Sequence, residues 1–190
     1  MNDSYYDREF IIVDKLSYRF SDVDRWDVVV FRPHVSEQKE FFIKRVIGIA
    51  GDTIKIEDGL VYMKRSWESD FSELDEGYLS EDNKWATFVS RSAKEFVYEV
   101  PEGQYFVMWD NRNSSTDSRT CFKSCSLPWL TNYIEDRDLS GKVWIDLWYF
   151  DWIRLQSGFK ISFGEFKFVH PTLGIDTSPK WFSSPDSWEY

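Results

Sequence analysis

Two segments of this chain concentrate side chains that can move a proton. In the first, Lys44 lies inside the apolar run Phe41-Phe42-Ile43-Lys44-Arg45-Val46-Ile47. An amine among large apolar neighbours loses hydration, and desolvation favours its neutral form. A neutral amine can serve as a general base near neutral pH, whereas a hydrated ammonium cannot. In the second, Trp109-Asp110-Asn111-Arg112-Asn113-Ser114-Ser115-Thr116-Asp117-Ser118-Arg119 follows the apolar run Tyr105-Phe106-Val107-Met108. Such a polar segment either ties down a loop through Asx and Ser turns or builds a site beside a core. Each segment also has a plainer reading. A lysine at a sheet edge snorkels into water, and Ser115 and Asp117 cap turns. Read together, they offer a desolvated base and a hydroxyl to orient it, the parts of a serine/lysine protease.

The elements that must hold these groups are strands. Phe10 to Lys15, Asp27 to Pro33, Phe41 to Ile49, Thr53 to Glu57, Leu60 to Met63, Glu95 to Val100, Gln104 to Met108 and Gly141 to Phe150 are short, rich in β-branched and aromatic residues, and bounded by turn residues. Asp58-Gly59 predicts a hairpin turn. On a strand, Phe42, Lys44 and Val46 share one face, and Phe41, Ile43 and Arg45 the other. A further hairpin is expected within 159–169. No long run has helical period. The fold expected is all-β, with antiparallel sheets forming a barrel or sandwich. Ser66 to Arg91 is acidic, Ser-rich and aperiodic, and reads as a surface excursion. The expected domains are a discontinuous core over 1–56 and 95–155, an insertion over 57–94 and a C-terminal extension over 156–190.

Composition excludes several function classes. The 190 residues carry 23 Lys+Arg against 33 Asp+Glu, a net charge of −10, which argues against nucleic acid as a partner. No stretch reaches the roughly 18–20 apolar residues of a membrane-spanning helix, and the start is polar and acidic rather than leader-like. Two histidines and two cysteines, Cys121 and Cys125, make a zinc site unfavourable, so no metal or cofactor is expected. The cysteine pair allows a small disulfide loop without requiring one.

Three stretches resemble the sequence boxes of bacterial type I signal peptidases, and the likeness spans roughly residues 1–150. Arg25-Trp26-Asp27-Val28-Val29-Val30-Phe31 is similar to the family's Arg-Gly-Asp-x-Val-Val-Phe, Lys44 to Asp52 to its lysine box, and Asp110 to Arg119 to its Gly-Asp-Asn-Arg-x-x-Ser-x-Asp-Ser-Arg box. The resemblance implies a signal peptidase catalytic core with a small β insertion. It implies an endopeptidase that removes signal peptides from secreted preproteins. Lys44 is then the general base, and Ser115 orients its amine. Asp117 and Arg119 form a bracing ion pair, with Asp110, Arg112 and Arg45 in support. Phe42 and Ile43 line the cleft, where a peptide adds as a strand and presents small side chains. The implied location is the outer side of the cell membrane. The aromatic belt Trp144, Trp148, Tyr149, Phe150, Trp152 and Ile153 is either a membrane-surface contact or, more simply, a buried strand.

The chain departs from the family pattern in two places. The pattern's nucleophile serine aligns just before Met1. The expectation is a chain begun at an internal Met, lacking anchor and nucleophile and inactive as given. The alternative is a non-catalytic relative that binds leader-like peptides without cutting. A self-cleaving repressor-type peptidase is rejected, because no DNA-binding segment is present. The second departure is tryptophan where glycine is expected, at Trp26 and Trp109, with Trp67 and Trp129 also reading as turn glycines. An indole suits such turns poorly, which suggests UGA codons read as glycine.

Overall fold

β-Branched and aromatic residues recurring along short segments build sheets here, and glycine and aspartate close the turns between them. The computed structural model describes residues 11–33, 40–89, 95–113, 115–123, 131–146, 150–155, 158–163 and 167–168. The strands are β1 (Ile11–Asp14), β2 (Val28–Phe31), β3 (Phe42–Gly48), β4 (Thr53–Glu57), β5 (Leu60–Lys64), β6 (Ser72–Glu73), β7 (Glu95–Glu99), β8 (Gln104–Met108), β9 (Ile134–Glu135), β10 (Leu139–Asp146), β11 (Phe150–Leu155), β12 (Gly158–Phe163) and β13 (Lys167–Phe168). Every strand pairing among the described residues is antiparallel. The helical turns among the described residues are all short 3-10 segments. None is long and apolar enough to cross a membrane.

The larger sheet runs β1-β10-β2-β3-β8-β9, with β13 also on β10, and its path is open rather than closed into a barrel. A second sheet runs β6-β5-β4-β7, and β11 and β12 form a third. The second sheet thus includes β4 and β7, on either side of the 57–94 segment read as the insertion. The turn at Asp58-Gly59 has φ of 49° and 83°, the positive pair a tight hairpin requires. The hairpin expected within 159–169 is not formed. β12 pairs back onto β11, and β13 pairs with β10 instead. Trp144 is exposed rather than part of a buried strand. Trp148 and Tyr149 lie outside the described residues, as does Trp129.

Burial follows the two-residue period of the strands. β4 and β5 each alternate, burying Ile54 and Ile56, Val61 and Met63. These pack with Ile47 on β3, Tyr98 on β7, and Phe106 and Met108 on β8, so one core joins the two main sheets. The opposite faces, Val29 and Phe31 on β2, Val46 on β3 and Val107 on β8, pack with Phe122 and Ile134. β2 is buried on both sides, which explains its unbroken Val-Val-Val-Phe run. Gly48 lies where these layers close. A Cβ there would stand 3.0 Å from Val100 Cγ2 and 3.2 Å from Ile54 Cδ1.

Candidate active site

β3 runs between β2 and β8, with Lys44 opposite Val29 and Arg45 opposite Met108. Antiparallel register then carries the residues after Met108 alongside Lys44. Trp109 therefore reaches the Lys44 amine, and Asp110 reaches Arg45 across 65 positions of chain. Arg45 makes a two-pronged pair with Asp110, Nε to Oδ1 at 2.9 Å and Nη2 to Oδ2 at 2.7 Å. The fork geometry fixes the first residue of the polar segment to β3.

Lys44 is 8% exposed. Its Nζ donates to the Ile43 carbonyl at 3.0 Å and stands 4.0 Å from the Trp109 ring centroid. Burial is the chief influence on the amine and pulls its pKa down to about 8; Asp117 and Asp110 oppose this, and Arg119 adds to it. Val28, Ile43, Arg45, Trp109 and Asp110 close around it, leaving a cavity of about 10 Å³.

Asp117 is fully buried and pairs with Arg119 through Nε to Oδ1 at 3.0 Å and Nη2 to Oδ2 at 2.9 Å. It also accepts the backbone N–H of Arg119 at 3.1 Å and that of Trp109 at 3.3 Å. Burial alone raises a carboxyl; the Arg119 guanidinium and these hydrogen bonds outweigh it and hold Asp117 below the usual range. The Ser115 hydroxyl is buried without a well-formed hydrogen bond. It lies close enough to Asp117 to help lower that carboxyl. The Ser115–Lys44 hydrogen bond expected from the sequence is not made in this arrangement, because the amine turns to Ile43 O and the indole of Trp109.

The segment's other arginine reveals residues that the sequence did not single out. Arg112 is buried, with Nη2 donating to Glu76 Oε1 at 2.5 Å and to Tyr78 Oη at 2.9 Å, and Nη1 to Thr87 Oγ1 at 3.2 Å. Buried Asn83 accepts the Arg112 backbone N–H at 2.6 Å. Arg119 Nη1 reaches Phe88 O at 3.1 Å. The 76–89 stretch, read as a surface excursion, is therefore a strap over the polar segment. Nothing periodic marks its contributors, so only contact reveals them. Phe42 packs on the β2 side and Ile43 with Val28 and Trp109. Cys121 is disulfide-bonded, and Cys125 lies outside the described residues. Among the described residues no cluster of three His, Cys, Asp or Glu side chains could hold a metal ion.

The profile of the family described as signal peptidase, peptidase S26, matches residues 1–148. A probable signal peptidase I-2 of Synechocystis is 37% identical over 113 residues, which are 57% of this chain and 45% of that protein. A signal peptidase I of Bacillus licheniformis is 35% identical over 121 residues, 63% of this chain and 61% of that protein. A crystal structure of a signal peptidase I from Enterococcus faecalis is 25% identical, with a TM-score of 0.45 across 65% of this chain and 97% of that one. The chain spans about half the length of the curated relatives it matches.

Proposed function

The chain belongs to the signal peptidase family S26, and from that membership we propose that it carries the base and supporting groups of an endopeptidase that removes N-terminal signal peptides from secreted preproteins. The observation that supports this most directly is the condition of Lys44. Its amine is nearly water-free, and its pKa is pulled down to about 8, so a usable fraction is neutral near neutral pH. In this reading the neutral amine takes the proton of a serine hydroxyl as that oxygen attacks the scissile carbonyl, then returns it to the leaving amine. Ser115 orients the amine once the pair closes. Asp117 and Asp110 are carboxylates paired with Arg119 and Arg45, and their pull on the amine is outweighed by burial. Arg112 anchors the segment.

The peptide joins as an added strand, with backbone bonds giving affinity and shallow apolar surface beside Phe42 and Ile43 selecting small side chains near the cleavage site. Reaction takes place at the membrane surface on the extracytoplasmic side, where preproteins emerge. No cofactor takes part. The test uses the full product of the gene with a preprotein bearing small residues before its cleavage point. Lys44→Ala and Lys44→Arg each abolish cleavage while the melting temperature stays within a few degrees. Cleavage retained by Lys44→Arg, which cannot act as a base, would remove Lys44 from that role.

A further inference from the structure

Among the described residues five non-glycine positions have positive φ, and two of them are tryptophans: Trp26 at +76° and Trp85 at +56°. The left-handed region disfavours any residue with a Cβ, and glycine enters it freely. Elsewhere this chain uses glycine for the purpose, at Gly51, Gly59 and Gly103 with φ of +84°, +83° and +68°. Two backbone hydrogen bonds hold the chain on either side of the turn at Trp26. Its N–H donates to Val46 O at 2.8 Å, and the Val46 N–H returns to Asp27 O at 2.8 Å. Trp85 sits where two backbones touch. A Cβ on Gly59 would come within 2.2 Å of Trp85 O. The Trp85 side chain gains little there, being 64% exposed. The chain has 10 tryptophans and only 9 glycines in 190 residues, well under the usual glycine share of about 7%.

Position 109 adds a different observation. The Trp109 indole covers the Lys44 amine at 4.0 Å and fills the site down to about 10 Å³. In the Ser/Lys reading, that space is where an attacking hydroxyl would approach the amine.

We propose that positions 26, 85 and 109 are glycine in the working protein, through UGA codons that its own translation machinery reads as glycine rather than tryptophan. At 26 and 85 glycine relieves the left-handed backbone. At 109 it removes the indole and the cation–π contact that favours the charged amine, and it widens the cavity that Val28, Ile43 and Arg45 form beside Lys44. What glycine at 109 does for Lys44 rests on the Ser/Lys reading above; the residue identities do not.

The deciding measurement is the codon at each position together with peptide mass spectrometry of the protein from its native cells. UGA codons and peptides with glycine at all three positions are expected. UGG codons, or native peptides carrying tryptophan there, overturn the proposal. A second measurement isolates the backbone. Glycine normally destabilises relative to alanine, so at left-handed positions the order should invert: W26G melts above W26A, and W85G above W85A. The ordinary order at both sites overturns the conformational basis. For position 109, W109G should let trinitrobenzenesulfonate modify Lys44 at least several-fold faster than in the tryptophan form, read by peptide mapping. An unchanged rate overturns the opening of the site, whatever the fate of the peptidase reading.

Discussion

The Lys44 amine and the Asp117 carboxylate show how one shell of protein can push two groups in opposite ways. Both are removed from water. Among the described residues Lys44 has no acidic partner within hydrogen-bonding distance, so burial dominates and favours its neutral form. Asp117 keeps a two-pronged arginine, so pairing dominates and it stays ionised. The proposed base should therefore give cleavage that is half-maximal near pH 8 and falls about tenfold per pH unit below it. The pH dependence of kcat/KM for the full gene product checks this. A linked effect falls on stability. The folded pKa of Lys44 lies below its ordinary 10.5, so between about pH 8 and 10.5 the unfolded chain holds the extra proton. Lys44 then adds a rising contribution to stability across that window and a constant penalty below it. In Lys44→Met that increment is absent, as denaturant titrations at pH 8 and 10 will show. Replacing Asp117 by Asn leaves the 4% exposed Arg119 without its charge partner. Loss of one member of a buried pair costs roughly 3–5 kcal/mol, which urea denaturation will measure.

At the level of elements, the site depends on two that the chain keeps far apart. β3 and β8 bring Lys44 to the polar segment by register alone, with Arg45 opposite Met108. The 76–89 strap then holds that segment from the other side through Glu76, Tyr78, Asn83 and Thr87. Asn83 is the most informative of these, because its side-chain oxygen accepts a buried backbone N–H at 2.6 Å. Asn83→Ala strands that donor at a cost of about 1–3 kcal/mol. Thermal melts of the variant beside the parent provide the comparison. Hydrogen exchange should place the opening at 110–119 rather than in the second sheet. The β3–β4 corner gives a separate test. A methyl added at Gly48 meets Val100 and Ile54 at 3.0–3.2 Å, and overpacking of this kind typically costs about 1–3 kcal/mol. Gly48→Ala should lower the urea midpoint without changing the slope.

For the molecule as a whole, the cluster shared by Ile47, Ile54, Met63, Tyr98, Phe106 and Met108 makes the two main sheets interdependent. Unfolding followed by far-UV circular dichroism and by tryptophan fluorescence should give coincident transitions; separated midpoints would show that β4 to β7 melts on its own. Much of this architecture was legible in the chain. The alternation in Thr53 to Met63, the Asp58-Gly59 turn and the apolar run before Asp110 follow from local sterics and burial, which act within a few residues and so leave a mark in sequence. The all-β class and the strands flanking Lys44 followed from the same signals. What only the tertiary structure decided was which distant groups meet. That Trp109 lies over the Lys44 amine, that the Ser115 hydroxyl is turned inward near Asp117, and that an acidic, aperiodic stretch ties down Arg112 all depend on strand register and loop packing. Those contacts join residues tens of positions apart, and no local preference along the chain records them.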